Sequence, residues 1–127
     1  MTLELRDAVE ADFDAITTLY AREVADGVAT YEYDAPDVDE MRRRWSTITS
    51  AGYPYIVAIR DGVFAGYAYA GGFRTRIGYR FTVESSVYVE HAQHGHGIGR
   101  VLMQRLIELC TQRGYRQMMA VIGPPLD

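Results

Sequence analysis

The hydrophobic period of this chain changes several times, and each change predicts an element. Leu3 and Leu5 alternate with polar neighbours, the pattern of a short strand. Phe13, Ile16, Leu19, Tyr20 and Val24 then recur at helical spacing. Glu10, Asp12 and Asp14 crowd the start of that helix, where its dipole favours acids, and Gly27 ends it. Asp34-Ala35-Pro36-Asp37 supplies a cap followed by an early proline, and Val38, Met41, Trp45 and Ile48 form the apolar stripe of a second helix. From Tyr53 the period shortens. Tyr55 to Ile59 and Val63 to Tyr69 flank Asp61-Gly62, a two-residue hairpin signal, with Gly71-Gly72 ending the second strand. Phe81 to Val89 is a third strand of this sheet, on which Thr82, Glu84, Ser86 and Tyr88 share one face and Val83, Val87 and Val89 the other. After a glycine-rich turn, Ile98, Val101, Leu102, Leu106, Leu109 and Cys110 define a third helix closed by Gly114, and Met118 to Ile122 a last strand.

Composition narrows the class. With 127 residues, 48% hydrophobic and 24% charged, the chain is expected to form one globular domain over 1–127, and no apolar run is long enough to span a bilayer. The amino-terminal residues lack the basic start and apolar stretch of a secretory signal, so a cytoplasmic location is expected. All 13 basic residues are arginine. A P-loop needs a lysine on the phosphates and a Schiff-base enzyme needs a lysine amine, so both chemistries are excluded. Residues 1–40 hold 12 acids and 2 arginines, whereas 41–127 hold 5 acids and 11 arginines, a balance that favours an anionic ligand in the second part or reflects composition alone. The run Arg42-Arg43-Arg44 is expected to face water. The single cysteine, Cys110, sits among leucines and reads as a core thiol.

The most informative segment runs from Val87 to Arg100. A strand feeds a turn with glycines at 95, 97 and 99, and a helix begins inside that turn. Glycine allows positive φ and close backbone approach, while free amides at a helix N-terminus point outward with the positive end of the dipole. These features predict a phosphate site. A dinucleotide fold fits poorly, because the spacing is Gly-x-Gly-x-Gly, it follows an antiparallel run and only one strand comes after it. His91, His94 and His96 lack the spacing of a zinc site, so no metal is expected. Nor does a chain of pI about 5.3, without an aromatic-interleaved arginine stripe, read as a nucleic-acid binder.

Ser86-Val87-Tyr88-Val89 followed by His94-Gly95-His96-Gly97-Ile98-Gly99-Arg100 resembles the acetyl-CoA motif of the GCN5-related N-acetyltransferases (GNAT). Arg6-Asp7-Ala8, Ala29-Thr30, Gly52-Tyr53-Pro54, Gly66-Tyr67-Ala68 and Tyr79 to Val89 are similar, in order, to the phosphinothricin and methionine sulfone acetyltransferases within that family. The resemblance covers residues 3–122. It implies an α/β (α+β) fold with a mixed, mostly antiparallel sheet flanked by helices. It also implies acetyl transfer from acetyl-CoA to the amino group of a small anionic amino-acid analogue, in a homodimer.

Carried over residue by residue, the resemblance makes Glu84 the general base; as a strand residue alone, Glu84 reads more readily as the partner of a loop arginine such as Arg80. Backbone at Val87, Tyr88 and Val89 would bind the pantetheine arm, and Gly95, His96, Gly97, Ile98, Gly99 and Arg100 the pyrophosphate. Tyr31, Arg74, Arg76, Tyr79 and Arg80 are the candidates for holding the substrate's anionic group, against plain solvation of a loop. The sequence departs from the family at His94, where Arg or Gln is usual, which implies weaker pyrophosphate binding. It also reads Pro124-Pro125-Leu126-Asp127 where the family continues through a further helix and strands. A shortened member of the fold is therefore expected, with a CoA-binding or dimerising remnant without turnover as the alternative.

Overall fold

The period-two segments pair into one five-stranded sheet in the order β1 (Leu3–Asp7), β2 (Tyr55–Arg60), β3 (Val63–Gly72), β4 (Thr82–Val89) and β5 (Gln117–Val121). A computed structural model describes residues 2–26, 34–72, 82–115 and 117–121. Strands β1 to β4 are antiparallel to their neighbours, while β5 is parallel to β4. The switch in direction follows from the connection: β4 and β5 are joined across helix α3 (Ile98–Gln112), and a helical crossover returns the chain to the same end of the sheet.

Helices α1 (Phe13–Asp26) and α2 (Val38–Ser50) pack on one face and α3 on the other, giving two cores. Strand alternation sorts the side chains. Tyr55, Val57, Tyr67 and Tyr88 join Phe13, Ile16 and Leu19 beneath α1 and α2, whereas Ile56, Ala58, Ala68, Ala70 and Val83 meet Ile98, Leu102 and Leu106 of α3. The sequence Gly66-Tyr67-Ala68-Tyr69-Ala70 thus makes one face aromatic and thick and the other small enough for α3 to lie close. Gly66 is held to glycine mainly by β4, since a Cβ there would stand 2.5 Å from the Tyr88 carbonyl oxygen, with the Leu102 side chain of α3 at 3.4 Å. Between β2 and β3 the register passes from Ala58 opposite Gly66 to Ile59 opposite Phe64, so Ala65 is the extra residue of a bulge.

Several boundaries differ from the sequence reading. Gly71 and Gly72 stay within β3, paired with Glu84 and Val83, because a backbone ladder needs no side chain to continue. The α2 cap is Asp37, whose carboxylate accepts from the Glu40 amide at 2.9 Å, so Pro36 precedes the helix rather than opening it. Strand β5 covers Gln117–Val121. Gly27, Phe81 and Ile122 lie outside the described residues.

The arginine run is not simply solvated. Arg43 is exposed, but Arg42 and Arg44 are half-buried. Arg42 approaches Asp39 at 3.7 Å and Glu10 at 4.0 Å, and both Arg43 and Arg44 pair with Glu40, the latter at 2.9 Å. Consecutive helical positions project in different directions, which is how one run meets carboxylates on two elements. Asp12 is likewise buried: its carboxylate takes two 2.8 Å hydrogen bonds from Arg6 and a 2.7 Å bond from the Val9 amide. Burial opposes its ionisation, yet the Arg6 and Val9 donors hold its pKa below the ordinary carboxylate value. Cys110 is buried in the α3 core, where desolvation pushes its thiol pKa up.

Candidate functional site

The glycine turn has the backbone that an anion site needs. Gly95 and Gly97 adopt φ of +85° and +73°, and α3 starts at Ile98 after Gly97, a residue with no side chain to cap the first amides. The Val101 amide is bonded back to the Gly97 carbonyl at 3.1 Å, leaving those of Ile98, Gly99 and Arg100 as the unpaired start of the helix. Among the described residues a Cβ built on Gly95 or Gly97 would meet nothing within 4 Å, so none of them closes the front of the turn. Gly95, His96 and Arg100 are exposed. The Ile98 side chain is fully buried against Leu102, which leaves only its backbone for a ligand.

Side chains fix this turn to the rest of the molecule. His94 Nε2 lies 3.3 Å from the Val89 carbonyl oxygen, so the ring donates to the end of β4. Arg22 of α1 bonds Glu90 at 2.7 Å, and the buried Glu23 stands 3.5 Å from His91 Nε2. The two ties to α1 were not legible in the sequence, because they join positions nearly seventy residues apart.

Strand β4 brings the other candidate residues to the same region. Its register with β5 runs from Thr82 opposite Gln117 to Ser86 opposite Val121. Beyond Ser86, Val87, Tyr88 and Val89 pair with Ala68, Tyr67 and Gly66 of β3. The Tyr88 side chain is buried edge-on against Tyr20, with ring centroids 5.6 Å apart, so this stretch too presents backbone rather than side chains. Glu84 is half-buried on the face shared with Tyr69 and Tyr88, directly across from Gly71. No ion pair to Glu84 occurs among the described residues, and a Cβ on Gly71 would meet nothing within 4 Å. Tyr31, Arg74, Arg76, Tyr79 and Arg80 lie outside the described residues.

On the Glu84 face the fold builds a feature that the sequence did not announce. Tyr55 stacks on Tyr69 at 4.8 Å and on Tyr67 at 5.9 Å, and Tyr67 on Tyr88 at 5.0 Å. Tyr55 and Tyr69, with Tyr20 from α1 and Met41, Ile48 and Arg44 from α2, line a cavity of about 390 Å³. Burial pushes the Tyr55 phenol far up, so it stays neutral and able to donate. Among the described residues no three histidine, cysteine or acidic side chains gather as a metal cluster, and no helix is long and apolar enough to cross a membrane.

Comparison with known proteins fits this geometry. The Acetyltransferase (GNAT) family profile matches residues 13–125. Phosphinothricin N-acetyltransferase of Alcaligenes faecalis is 46% identical over 112 residues, covering 88% of this chain and 57% of that protein. The L-methionine sulfoximine/L-methionine sulfone acetyltransferase of Salmonella typhimurium is 38% identical over 120 residues, covering 94% of this chain and 70% of that one. A GNAT superfamily phosphinothricin acetyltransferase from Sinorhizobium meliloti, solved in complex with AcCoA, superposes with a TM-score of 0.91 at 52% identity, covering 97% of this chain and 67% of that one. The chain thus spans little more than half the length of the Alcaligenes relative.

Proposed function

Because the chain belongs to the Acetyltransferase (GNAT) family, we propose that it moves the acetyl group of acetyl-CoA to the amino group of a small anionic amino-acid analogue such as phosphinothricin or methionine sulfone. The observation that carries this reading is the open glycine turn at the head of α3, reached directly from the end of β4. When bound, acetyl-CoA supplies an acyl group already activated as a thioester. The amides of Ile98, Gly99 and Arg100 take the pyrophosphate, and backbone at Val87, Tyr88 and Val89 holds the pantetheine arm as an added strand. Gly95 and Gly97 allow the close approach, and His96 and Arg100 flank it from the exposed side.

Glu84 acts as the base. An α-amine with pKa near ~8 is about one-tenth neutral at pH 7, so Glu84 has only to accept one proton, directly or through water, as the nitrogen attacks. The same residue sits across from a glycine, which leaves room for the amine. Tyr31, Arg74, Arg76, Tyr79 and Arg80 are proposed to hold the acceptor's anionic group, through the bidentate fork in the case of the arginines. We place the protein in the cytoplasm as a homodimer.

Thiol release from acetyl-CoA, with phosphinothricin or methionine sulfone as acceptor, tests the reading. Glu84→Ala should lower kcat about 10²- to 10⁴-fold while leaving the acetyl-CoA-induced rise in melting temperature intact. An unchanged rate in that variant would remove Glu84 from the mechanism.

A further inference from the structure

The tyrosine-lined cavity is on the Glu84 face of the sheet, where Tyr69 connects it to β4. Tyr55 is opposite Tyr69, and Tyr69 is opposite Ser86, so the row leads from β2 to β4 at one level of the sheet. Glu84 lies two positions from Ser86 on the same face, roughly 7 Å along the strand. That is about the reach of a methionine-sized side chain whose α-amine rests on the base. The cavity volume, about 390 Å³, is in the range of small-molecule sites, roughly 300–1,000 Å³.

Its chemistry is mixed in a specific way. Met41 and Ile48 offer apolar contact from α2, and tyrosine hydroxyls from the sheet and α1 offer neutral donors. Arg43 and Arg44 both reach the cavity, and both pair with Glu40, which lines it too. Short apolar contact together with neutral and cationic donors suits a short aliphatic stem ending in sulfone, sulfoximine or phosphinate oxygens.

We infer that this cavity receives the side chain of the acceptor amino acid, with Tyr69, Ile48 and Arg44 setting which acceptors are accepted. The inference rests on the acetyl-transfer reading and adds to it the residues that select the acceptor. It also gives the arginine run on α2 a role in recognition.

Filling the cavity with Ile48→Trp should raise KM for methionine sulfone and for phosphinothricin tenfold or more, with KM for acetyl-CoA unchanged. Arg44→Gln, at a position 39% exposed and therefore tolerant of change, should lower kcat/KM for anionic phosphinothricin about tenfold more than for methionine sulfone, and it keeps the test valid should Ile48→Trp not fold. The CoA-induced shift in melting temperature reports folding in each variant. A folded Ile48→Trp with unchanged amine KM, or an Arg44→Gln variant with an unchanged preference between the two acceptors, overturns the cavity's role and leaves the acetyl-transfer reading standing. Wild-type protein that binds neither amine in calorimetry and releases no thiol overturns both.

Discussion

Glu84 and Gly71 are direct cross-strand partners, a carboxylate facing a residue without a side chain. The pairing keeps the space beside the carboxylate open, since a Cβ at Gly71 would meet nothing within 4 Å among the described residues. Gly71→Val is therefore expected to fold normally, with a melting temperature close to wild type. It should nevertheless reduce kcat/KM for the amine about tenfold or more by crowding the base, because small displacements of reacting groups are costly. Steady-state kinetics with each substrate varied in turn would check this: the loss should fall on the amine and spare KM for acetyl-CoA.

Gly97 holds the last position before α3 at φ +73°, where any other L-residue except Asn or Asp is strained by about 1–2 kcal/mol. Because no described residue would touch a Cβ there, the penalty is conformational rather than steric. Gly97→Val should lower the melting temperature modestly and raise KM for acetyl-CoA, and Gly97→Asn should do less of both. Equal effects of the two substitutions on KM would show that the left-handed backbone is not what the ligand needs.

The Arg6–Asp12 pair makes a pH prediction. The pKa of Asp12 is lower in the folded chain than its ordinary value of 3.8. Its contribution is thus complete above that unfolded value and is lost as pH falls through the lower folded one. At pH 7, Asp12→Asn should cost about 1.5–3 kcal/mol, the range for hydrogen bonds to a charged group. Urea unfolding of both proteins at a series of pH values should find the difference shrinking below about pH 4.

Tyr67 is fully buried, and among the described residues its hydroxyl has no hydrogen-bond partner. Burial pushes its phenol pKa well up, so the group stays neutral. Removing an unsatisfied buried hydroxyl relieves a desolvation cost, and Tyr67→Phe should leave stability unchanged or raise it by about 1 kcal/mol. Tyr67→Leu should instead destabilise, since it removes the stacking on Tyr55 and Tyr88. Denaturant midpoints of the two variants would separate the contribution of the ring from that of the hydroxyl.

The sequence by itself determined the local features. Asp61-Gly62 specified the β2–β3 hairpin, Tyr and Ala alternation along β3 specified its two faces, and the glycines at 95 and 97 specified a turn that only positive φ allows. Such signals need no distant partner, because they follow from backbone sterics and from the period of each element. What tertiary structure decided is everything that depends on which surface meets which. It turned part of the arginine run at 42–44 from a solvated face into a cavity lining, because Glu40 and the sheet lie beside two of its members. It buried Asp12 under Arg6 and set Gly71 across from Glu84 where the sequence had ended a strand. Periodicity names a face but not what covers it, and the cavity of Tyr20, Tyr55 and Tyr69 exists only where α1, α2 and two strands converge.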